Sequence, residues 1–539
     1  MAMARAAALP AATRAPTNKW LVTVSITFGT LMGTIDASIV NVAVPHLSGS
    51  LGATVEQITW VSTGFALANV IVMPLTAFLG RLFGQKRVYM FCLMLFLVGS
   101  ALCGMARSLE MLVACRVLQG FGAGALQPTE QAILRQTFPP EEQGMAMALF
   151  GIAVMLGPAF GPTLGGYIID NWSWPWIFYI NIPVGLLGLF MVNSFVHEPD
   201  DVRQANLAAA VKQRKHMDWS GIALLSVGLA ALQYVLEEGI RKDWFESTLI
   251  SVLAVVAVAA LLLFVARELT ATMPAVNLYL FKDKVFLTGT LIGGVMFAML
   301  MAVTFILPVF MQTLLGYDAM KSGVALMPRS LVMFLVVPIV GRLYNKIQPR
   351  IVVAFGIICF TISAFLMSHY TLETSESQLL WPLVVQGVGF ACLFVPLTTV
   401  ALSSIDRRKL ADATGLNSLV RQIGGSLGLA VFATLMTRYP VQIKAALAAH
   451  ITAGRPEVAQ RLGAMTQMLV AKGYDLDSAR MAAQRALGGI VARQAMMMTF
   501  EKMFLMAGIA FLFVLPLLYF LKSPRHDGAG PKPEVHVEM

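Results

Sequence analysis

The sequence predicts an all-α polytopic membrane protein with fourteen transmembrane helices. Of its 539 residues 13% are charged and 57% are hydrophobic, and the mean hydropathy is +0.73. Soluble proteins carry roughly 25% charged residues, so this chain has too few to cover a water-facing surface. Apolar stretches of about 20 residues, the length that spans a bilayer, recur along the chain. We therefore expect most of the protein surface to face lipid.

Fourteen such stretches follow one another along the chain. Only Arg107 and Ser108 separate the third from the fourth, which predicts a tight hairpin. The five cysteines all lie within apolar stretches, so we interpret them as small buried hydrophobic residues rather than disulfides. The stretches are residues 20–45, 56–79, 88–106, 109–132, 144–168, 176–196, 219–237, 247–266, 286–311, 322–343, 351–369, 379–403, 411–436 and 500–521.

The basic residues predict the orientation in the membrane. If the N-terminus lies inside the cell, most Lys and Arg fall in inward-facing segments, which is the usual bias of membrane proteins. Both termini are then cytoplasmic. The net charge of +10 becomes a signal of orientation, and we expect no nucleic-acid partner. The clearest inward clusters are Arg81, Lys86 and Arg87, and Arg407, Arg408 and Lys409.

One outward segment, residues 438–499, is long and polar. Its apolar residues follow helical spacing, with Gly473 as a stop and Asp475 or Asp477 as the cap of a second helix. A loop of this length usually has its own structure or function. Two interpretations stay open: a helical cap on the outer mouth, or a docking surface for a partner.

Short motifs repeat between the two halves of the chain. Gln119-Gly120-x-Gly122 recurs as Gln386-Gly387-x-Gly389, and Gly157 and Gly161 recur as Gly424 and Gly428 with the same spacing along the chain. Stretches one to six therefore repeat as nine to fourteen, a feature of secondary transporters. This predicts a tail (1–19), a first six-helix bundle (20–197), linkers with two inserted helices (198–285), a second bundle including the outer segment (286–521) and a tail (522–539).

Three longer motifs form a specific set. They are Asp36-Ala-Ser-Ile-Val-Asn41, Arg116 with Gln119-Gly120-Phe-Gly122, and Gly157-Pro158-Ala-Phe-Gly161-Pro162-Thr-Leu-Gly165-Gly166. The set resembles the major facilitator superfamily, specifically its fourteen-span drug/proton antiporters of the EmrB/QacA type, over nearly the whole chain. The resemblance implies the major facilitator fold and proton-coupled efflux of lipophilic toxic compounds across the bacterial inner (plasma) membrane. In a cell with two membranes it also implies a periplasmic adaptor and an outer-membrane channel.

The chain departs from that family in the loop after the second stretch. The family carries an Asp-Arg pair there, whereas this chain has Arg81-Leu82, with Asn345-Lys346 in the second copy. The departure argues against the family's Asp-based ionic latch. Gly84, Lys86 and Arg87 are retained and form the predicted inner gate loop.

Charges kept within the membrane are candidates for function, because each costs at least about 2.5–3.5 kcal/mol at the bilayer centre. Asp36 is either a proton-carrying carboxylate or a fixed structural partner of an arginine, and the resemblance implies that Arg116 tunes it. Glu130 is a second proton site or a gate residue. Arg421 tunes coupling in the second half or meets an anionic substrate group. Arg329 either has a similar functional role or simply extends its side chain outward to the membrane–water interface.

Two further sets complete the predicted site. The glycines of the fifth stretch allow close helix approach and its prolines bend the helix, and the resemblance implies that this antiporter motif prevents proton leak. Its members are Gly157, Pro158, Gly161, Pro162, Gly165 and Gly166. Polar, aromatic and Met side chains could line a substrate cavity, with helix packing as the alternative for each. They are Asn41, Gln119, Phe65, Phe121, Phe150, Met155, Phe297, Phe305 and Arg421.

The predicted function is efflux rather than catalysis. No phosphate-binding loop and no metal-ligand spacing occurs in the sequence, so we expect neither ATP drive nor a metal or other cofactor. The excess of arginines within the membrane favours neutral or weakly acidic lipophilic substrates over dications. Two alternatives stay open: a dedicated exporter of one metabolite, lipid or siderophore, and a membrane receptor or assembly protein that acts through residues 438–499.

Overall fold

The computed structural model describes residues 18–198, 204, 210, 218–271, 274–452 and 455–521. All regular elements in these ranges are helices. Both predicted tails, except residues 18 and 19, and most of the linker from 199 to 217 lie outside the described residues, as do the side chains of Asn41 and Pro158.

The first half of the molecule consists of helices α1 to α8. Side chains at the helix starts supply several caps: Asn18 accepts from the Trp20 amide and Ser108 from the Met111 amide. Gly52 and Gly84, both at positive φ, follow the ends of α1 and α3. The helices are α1 Lys19–Leu51, α2 Val55–Ile58, α3 Trp60–Phe83, α4 Gln85–Gly104, α5 Leu109–Thr137, α6 Gln143–Asn171, α7 Trp176–Tyr179 and α8 Asn181–Phe195.

Two inserted helices, α9 Trp219–Glu238 and α10 Thr248–Thr270, precede the second half. Thirteen helical stretches of the described residues are long and apolar enough to cross a membrane, and α6, bent by 40° between Gly157 and Phe160, makes a fourteenth. The predicted fold class is thus confirmed. The second half consists of α11 Lys284–Thr313, α12 Ala319–Leu343, α13 Pro349–Met367, α14 Glu376–Ala401, α15 Leu410–Ala449, α16 Pro456–Ala471 and α17 Leu476–Leu512.

The two halves pack in the same way. Helix α1 packs along α6, and α5 packs on both α3 and α4; in the second half α11 packs along α15, and α14 packs on both α12 and α13. The repeated glycines make equivalent contacts. A Cβ on Gly157 would lie 2.4 Å from the Thr34 Cβ on α1, and a Cβ on Gly424 would lie 2.3 Å from the Gly294 carbonyl on α11. The sequence repeat is therefore also a repeat of helix packing.

The halves meet through α3 with α15 and through α6 with α12. Close contacts lie toward the end of the bundle at which α1 begins, which we call the N-terminal face. A Cβ on Gly144 of α6 would lie 2.6 Å from the Gly341 carbonyl on α12, and one on Gly415 of α15 would lie 2.9 Å from the Met73 carbonyl on α3. The inserted α9 packs on α3 and α15, and α10 packs on α9.

The predicted outer segment is helical. Gly473, at φ +94°, follows α16, and Asp475 caps α17 by accepting from the Ser478 amide at 3.0 Å. The predicted stop and one of the two predicted caps are thus confirmed. One feature differs from the sequence expectation: α15 has 40 residues, or about 60 Å, twice the roughly 30 Å of a bilayer core. Helices α15 and α17 therefore continue from the membrane into the outer segment without a break.

Candidate functional site

A buried ion pair occupies the centre of the first half. Arg116 Nη1 on α5 donates to Asp36 Oδ2 on α1 at 2.5 Å, and both residues are 1% exposed. Gln119 Nε2 and Asn181 Nδ2 donate to Asp36 Oδ1 at 2.9 and 3.0 Å. The carboxylate therefore receives three hydrogen bonds from two further helices, α5 and α8. Such pairing is what makes a buried charge tolerable.

The Arg116 guanidinium is held on its other sides as well. Its Nε donates to the Val61 carbonyl at 3.2 Å, and its Nη1 also donates to Gln119 Oε1 at 2.7 Å. The guanidinium carbon lies 4.2 Å from the Phe65 ring centroid and 5.8 Å from that of Phe178. Contacts from α1, α3 and α5 thus fix the cation.

Two of these residues, Gln119 and Phe65, belong to the predicted substrate cavity. Gln119 is 0% exposed and donates to Asp36, and Phe65 packs its ring on Arg116. Sequence reasoning missed Asn181 and Ser100, whose hydroxyl accepts from Asn181 Nδ2 at 3.0 Å. Their only signal was the presence of polar residues in otherwise apolar stretches.

Glu130 is a second buried carboxylate, on the same helix as Arg116. It is 0% exposed, and its Oε1 accepts from the Thr27 hydroxyl at 3.1 Å. Its Oε2 has no hydrogen-bond partner among the described residues. Fourteen residues of α5 separate it from Arg116, which places it about 21 Å closer to the N-terminal face.

Arg421 lies in the second half among aromatic rings. Its guanidinium carbon is 5.4 Å from the Phe297 centroid and 5.3 Å from the Phe394 centroid. The Phe150 ring, from the first half, is 6.0 Å from Phe394. Arg421 is 4% exposed, and its Nε and Nη2 have no hydrogen-bond partner within the described part of the chain. We call these four residues the cation–aromatic cluster.

Arg329 on α12 is also buried, at 6% exposure. Its Nη1 is 3.5 Å from Gln386 Oε1 and its Nη2 is 3.4 Å from Thr304 Oγ1. The side chain thus contacts α11 and α14 inside the bundle, contrary to the alternative that it extends outward. Neither Arg329 nor Arg421 belongs to any ion pair of the described residues.

Three glycines of the predicted antiporter motif lie against α1. Cβ atoms on Gly157, Gly161 and Gly165 would lie 2.4, 2.7 and 2.7 Å from Thr34, Ser38 and Ile39. A Cβ on Gly166 would meet no atom within 4 Å. The motif therefore sets how closely α6 approaches the helix that carries Asp36; Pro162 belongs to the same helix, just after its bend.

Ion pairing at the N-terminal face joins the two halves. Arg81 Nη1 donates to both carboxylate oxygens of Asp412, at 2.6 and 2.8 Å. This ion pair, which we call the latch, has its acid on α15 and its base on α3. In the gate loop, Lys86 Nζ donates to the Asn193 carbonyl at 2.7 Å. The amide of Gln85, the residue after Gly84, donates to the Glu198 carboxylate, and Arg87 is exposed.

Two arginines also join the halves at this face by capping helix ends of the opposite half. Arg135 Nη2 on α5 donates to the Leu402 carbonyl, just past α14, at 2.7 Å, and Arg407 Nη2 donates to the Gln136 carbonyl in the last turn of α5. The last carbonyls of a helix lack intrahelical partners and carry partial negative charge. Each half thus supplies a cation to a helix end of the other.

The remaining predicted cavity residues are dispersed. Met155 lies in a shallow crevice between α6 and α12, beside Ser330 and Met333. Phe121 is 37% exposed on α5, and Phe305 is half-buried on α11. The structure brings Phe150, Phe297 and Arg421 together but not these three.

Comparison with known proteins gives one consistent result. The family model described as Major Facilitator Superfamily matches residues 26–429. The chain is 33% identical to the fatty acid resistance protein FarB of Neisseria gonorrhoeae, covering 94% of this chain and 97% of that one. It is also 33% identical to the multidrug export protein EmrB of Escherichia coli K12, covering 95% and 96%.

More distant proteins agree. The chain is 29% identical to the colistin resistance protein EmrB of Acinetobacter baumannii, over 76% of this chain and 79% of that one. Among solved structures, the proton:xylose symporter XylE matches with a TM-score of 0.58 and 13% identity, covering 91% and 94%. The human organic anion transporter MFSD10 matches with a TM-score of 0.55 and 14% identity, covering 92% and 99%. At these identities the solved structures show a shared fold.

Proposed function

Because this multi-pass membrane protein belongs to the major facilitator superfamily, whose members are transporters, we propose that it is a proton-coupled antiporter that exports lipophilic compounds. The observation that carries the proposal is the buried Asp36–Arg116 pair with its amide donors. Relatives named for multidrug export and fatty acid resistance support the efflux part of it.

Proton coupling follows from the environment of Asp36. A carboxylate binds a proton more readily in apolar surroundings and less readily beside a cation. Asp36 sits on α1, whereas Arg116 and Asn181 sit on α5 and α8. If α1 shifts relative to α5 during transport, the pair separates, and a proton replaces the guanidinium as the partner of the carboxylate. Glu130 is the second proton-binding group on this path, closer to the N-terminal face.

The substrate class follows from the cation–aromatic cluster. Arg421 lacks an acidic partner among the described residues; the Phe297 and Phe394 rings lie against it, and Phe150 of the first half lies against Phe394. Such a site suits a compound with an apolar body and an anionic or electron-rich head, as in a fatty acid or another lipophilic weak acid. A permanent dication would add charge to an already positive site.

We place the protein in the bacterial inner membrane with the N-terminal face in the cytoplasm, in agreement with the distribution of its basic residues. The latch and the two arginine caps then form the cytoplasmic gate between two six-helix bundles. In a cell with two membranes, a periplasmic adaptor and an outer-membrane channel are the partners we propose.

The test is proton movement driven by substrate in proteoliposomes, followed with an internal pH dye. Asp36→Asn should reduce proton movement upon addition of dodecanoate to the level of protein-free liposomes, where the neutral acid crosses the bilayer with its own proton. Asp170→Asn is the matched control, because Asp170 is an exposed acid on α6, and it should behave as the wild type. Proton movement of wild-type size in Asp36→Asn would remove this residue from the coupling mechanism.

A further inference from the structure

We propose that Arg329, Gln386 and Thr304 form an anion-binding site in the second half, distinct from the cation–aromatic cluster. Its ligand is a single anionic group, either the head group of an exported weak acid or a free halide. The first of these sources rests on the function proposed above, whereas the site itself rests on the packing of the two halves.

The helix contacts show which residues of the two halves correspond. A Cβ on Gly120 would lie 2.4 Å from the Phe65 carbonyl, and one on its repeat, Gly387, would lie 2.7 Å from the Arg329 carbonyl. Arg329 therefore occupies in α12 the position that Phe65 occupies in α3. Gln386 corresponds to Gln119 in the same way, because each directly precedes the glycine.

The position corresponding to Asp36 follows from the second glycine pair. Gly157 packs on Thr34, and its repeat Gly424 packs on Gly294. Two residues beyond each contact come Asp36 on α1 and Met296 on α11. A thioether thus stands where the first half has its carboxylate.

The loss of the acid leaves donors without acceptors. In the first half Gln119 Nε2 donates to Asp36. In the second half Gln386 Nε2 and Arg329 Nε have no hydrogen-bond partner among the described residues. These residues are 0% and 6% exposed, so water at the protein surface does not satisfy them. A buried cation and an unsatisfied amide donor are both costly, and an anion between them would stabilise both.

The hydrogen bonds that Arg329 makes are long, so its guanidinium remains available to bind an anion. Its two side-chain hydrogen bonds, to Gln386 Oε1 and Thr304 Oγ1, measure 3.5 and 3.4 Å. Guanidinium bonds to anionic oxygens are usually about 2.7–2.9 Å. An anion would therefore displace weak contacts in favour of strong ones, and the Thr304 hydroxyl could turn to donate to it.

The site has a position on a path. Phe297 and Thr304 are seven residues apart on α11, and Gln386 and Phe394 are eight apart on α14, so about 10–12 Å separates the two arginine sites along the bundle. Arg329 lies on the side away from the N-terminal face. An anionic head group that leaves Arg421 in that direction would meet Arg329 next.

The experiment is titration calorimetry on the full-length protein in nanodiscs. The probes are dodecanoate, uncharged dodecanol, and chloride in a gluconate buffer. Arg329→Gln should weaken binding of dodecanoate, chloride or both at least tenfold and leave dodecanol unchanged. Arg342→Gln is the matched control, since Arg342 is an exposed arginine on the same helix. Wild-type affinity for both anions in Arg329→Gln would overturn the proposal.

A second variant guards against misfolding. Gln386→Glu places a carboxylate beside Arg329 and so gives this cation an acidic partner of its own; it should abolish anion binding at this site and raise the unfolding temperature. An unchanged or lowered unfolding temperature together with retained anion binding would also overturn the site. A third outcome separates the two sources of the anion. If the wild type binds chloride but not dodecanoate, and Arg329→Gln loses the chloride binding, the site is supported and export of weak acids is not.

Discussion

The Asp36–Arg116 pair permits a quantitative test by a double-mutant cycle. The variants are Asp36→Asn, Arg116→Gln and the two combined. Arg116→Gln leaves the fully buried Asp36 carboxylate with only two amide donors, those of Gln119 and Asn181. Asp36→Asn leaves the fully buried Arg116 guanidinium facing a neutral side-chain amide in place of a carboxylate. The double variant removes both charges and keeps polar side chains of similar size.

The expected magnitudes follow from burial. Removing one member of a buried ion pair destabilises a protein by about 3–5 kcal/mol, because the other charge is left uncompensated. The double variant leaves no such charge. Its loss in free energy of unfolding should therefore be smaller than that of either single variant, with a coupling energy of about 3 kcal/mol or more.

The assay is reversible unfolding in mixed micelles at constant detergent composition. A matched control is the Lys242–Glu56 pair at 3.1 Å, whose side chains are 38% and 66% exposed; its cycle should show no measurable coupling because surface pairs contribute little. Losses that simply add in Asp36→Asn/Arg116→Gln would show that the two charges are stabilised independently of each other and would contradict the ion pair.

Two further predictions concern the N-terminal face and the antiporter motif. Arg81→Asp should remove transport by placing two acids at the latch, and adding Asp412→Arg should restore it; transport assays showing no effect of Arg81→Asp alone would contradict the latch. Gly157→Val should lower both transport and the unfolding temperature, because its Cβ would lie 2.4–2.6 Å from atoms of Thr34, including backbone atoms. Gly166→Val is the control: its Cβ would meet nothing within 4 Å, so transport and unfolding temperature should stay near those of the wild type. Equal behaviour of the two glycine variants would contradict this packing argument.

Much of the fold was predictable because the bilayer imposes simple rules. Span length and scarcity of charge identify the membrane helices, and repeated glycines identify the two halves. The same scarcity selected Asp36 and Arg116, which the structure joins in one ion pair. Few side chains of opposite charge lie within the membrane stretches, so few combinations were available.

The parts that sequence did not predict depend on distant contacts. Asp412, the acid of the latch, lies at the start of α15, 331 residues from Arg81, and no motif links them. The continuation of α15 beyond residue 436 was not predicted, because hydropathy indicates where a helix leaves the lipid and does not indicate where the helix ends. Burial of Arg329 was undecidable from depth alone, since a long side chain at that depth reaches either lipid head groups or a neighbouring helix.

The two halves share a packing scheme but differ in charge, and this difference has a consequence for coupling. The first half pairs its central cation with its own acid, whereas Arg329 and Arg421 in the second half have none among the described residues. In the function proposed above, a proton acts on one half and an anionic substrate on the other. Coupling between the two would then cross the interface between the halves, where the Phe150 ring of α6 lies 6.0 Å from the Phe394 ring beside Arg421. Helix α6 also packs along α1, which carries Asp36. Movement of α6 would therefore affect both the Asp36–Arg116 pair and the cation–aromatic cluster.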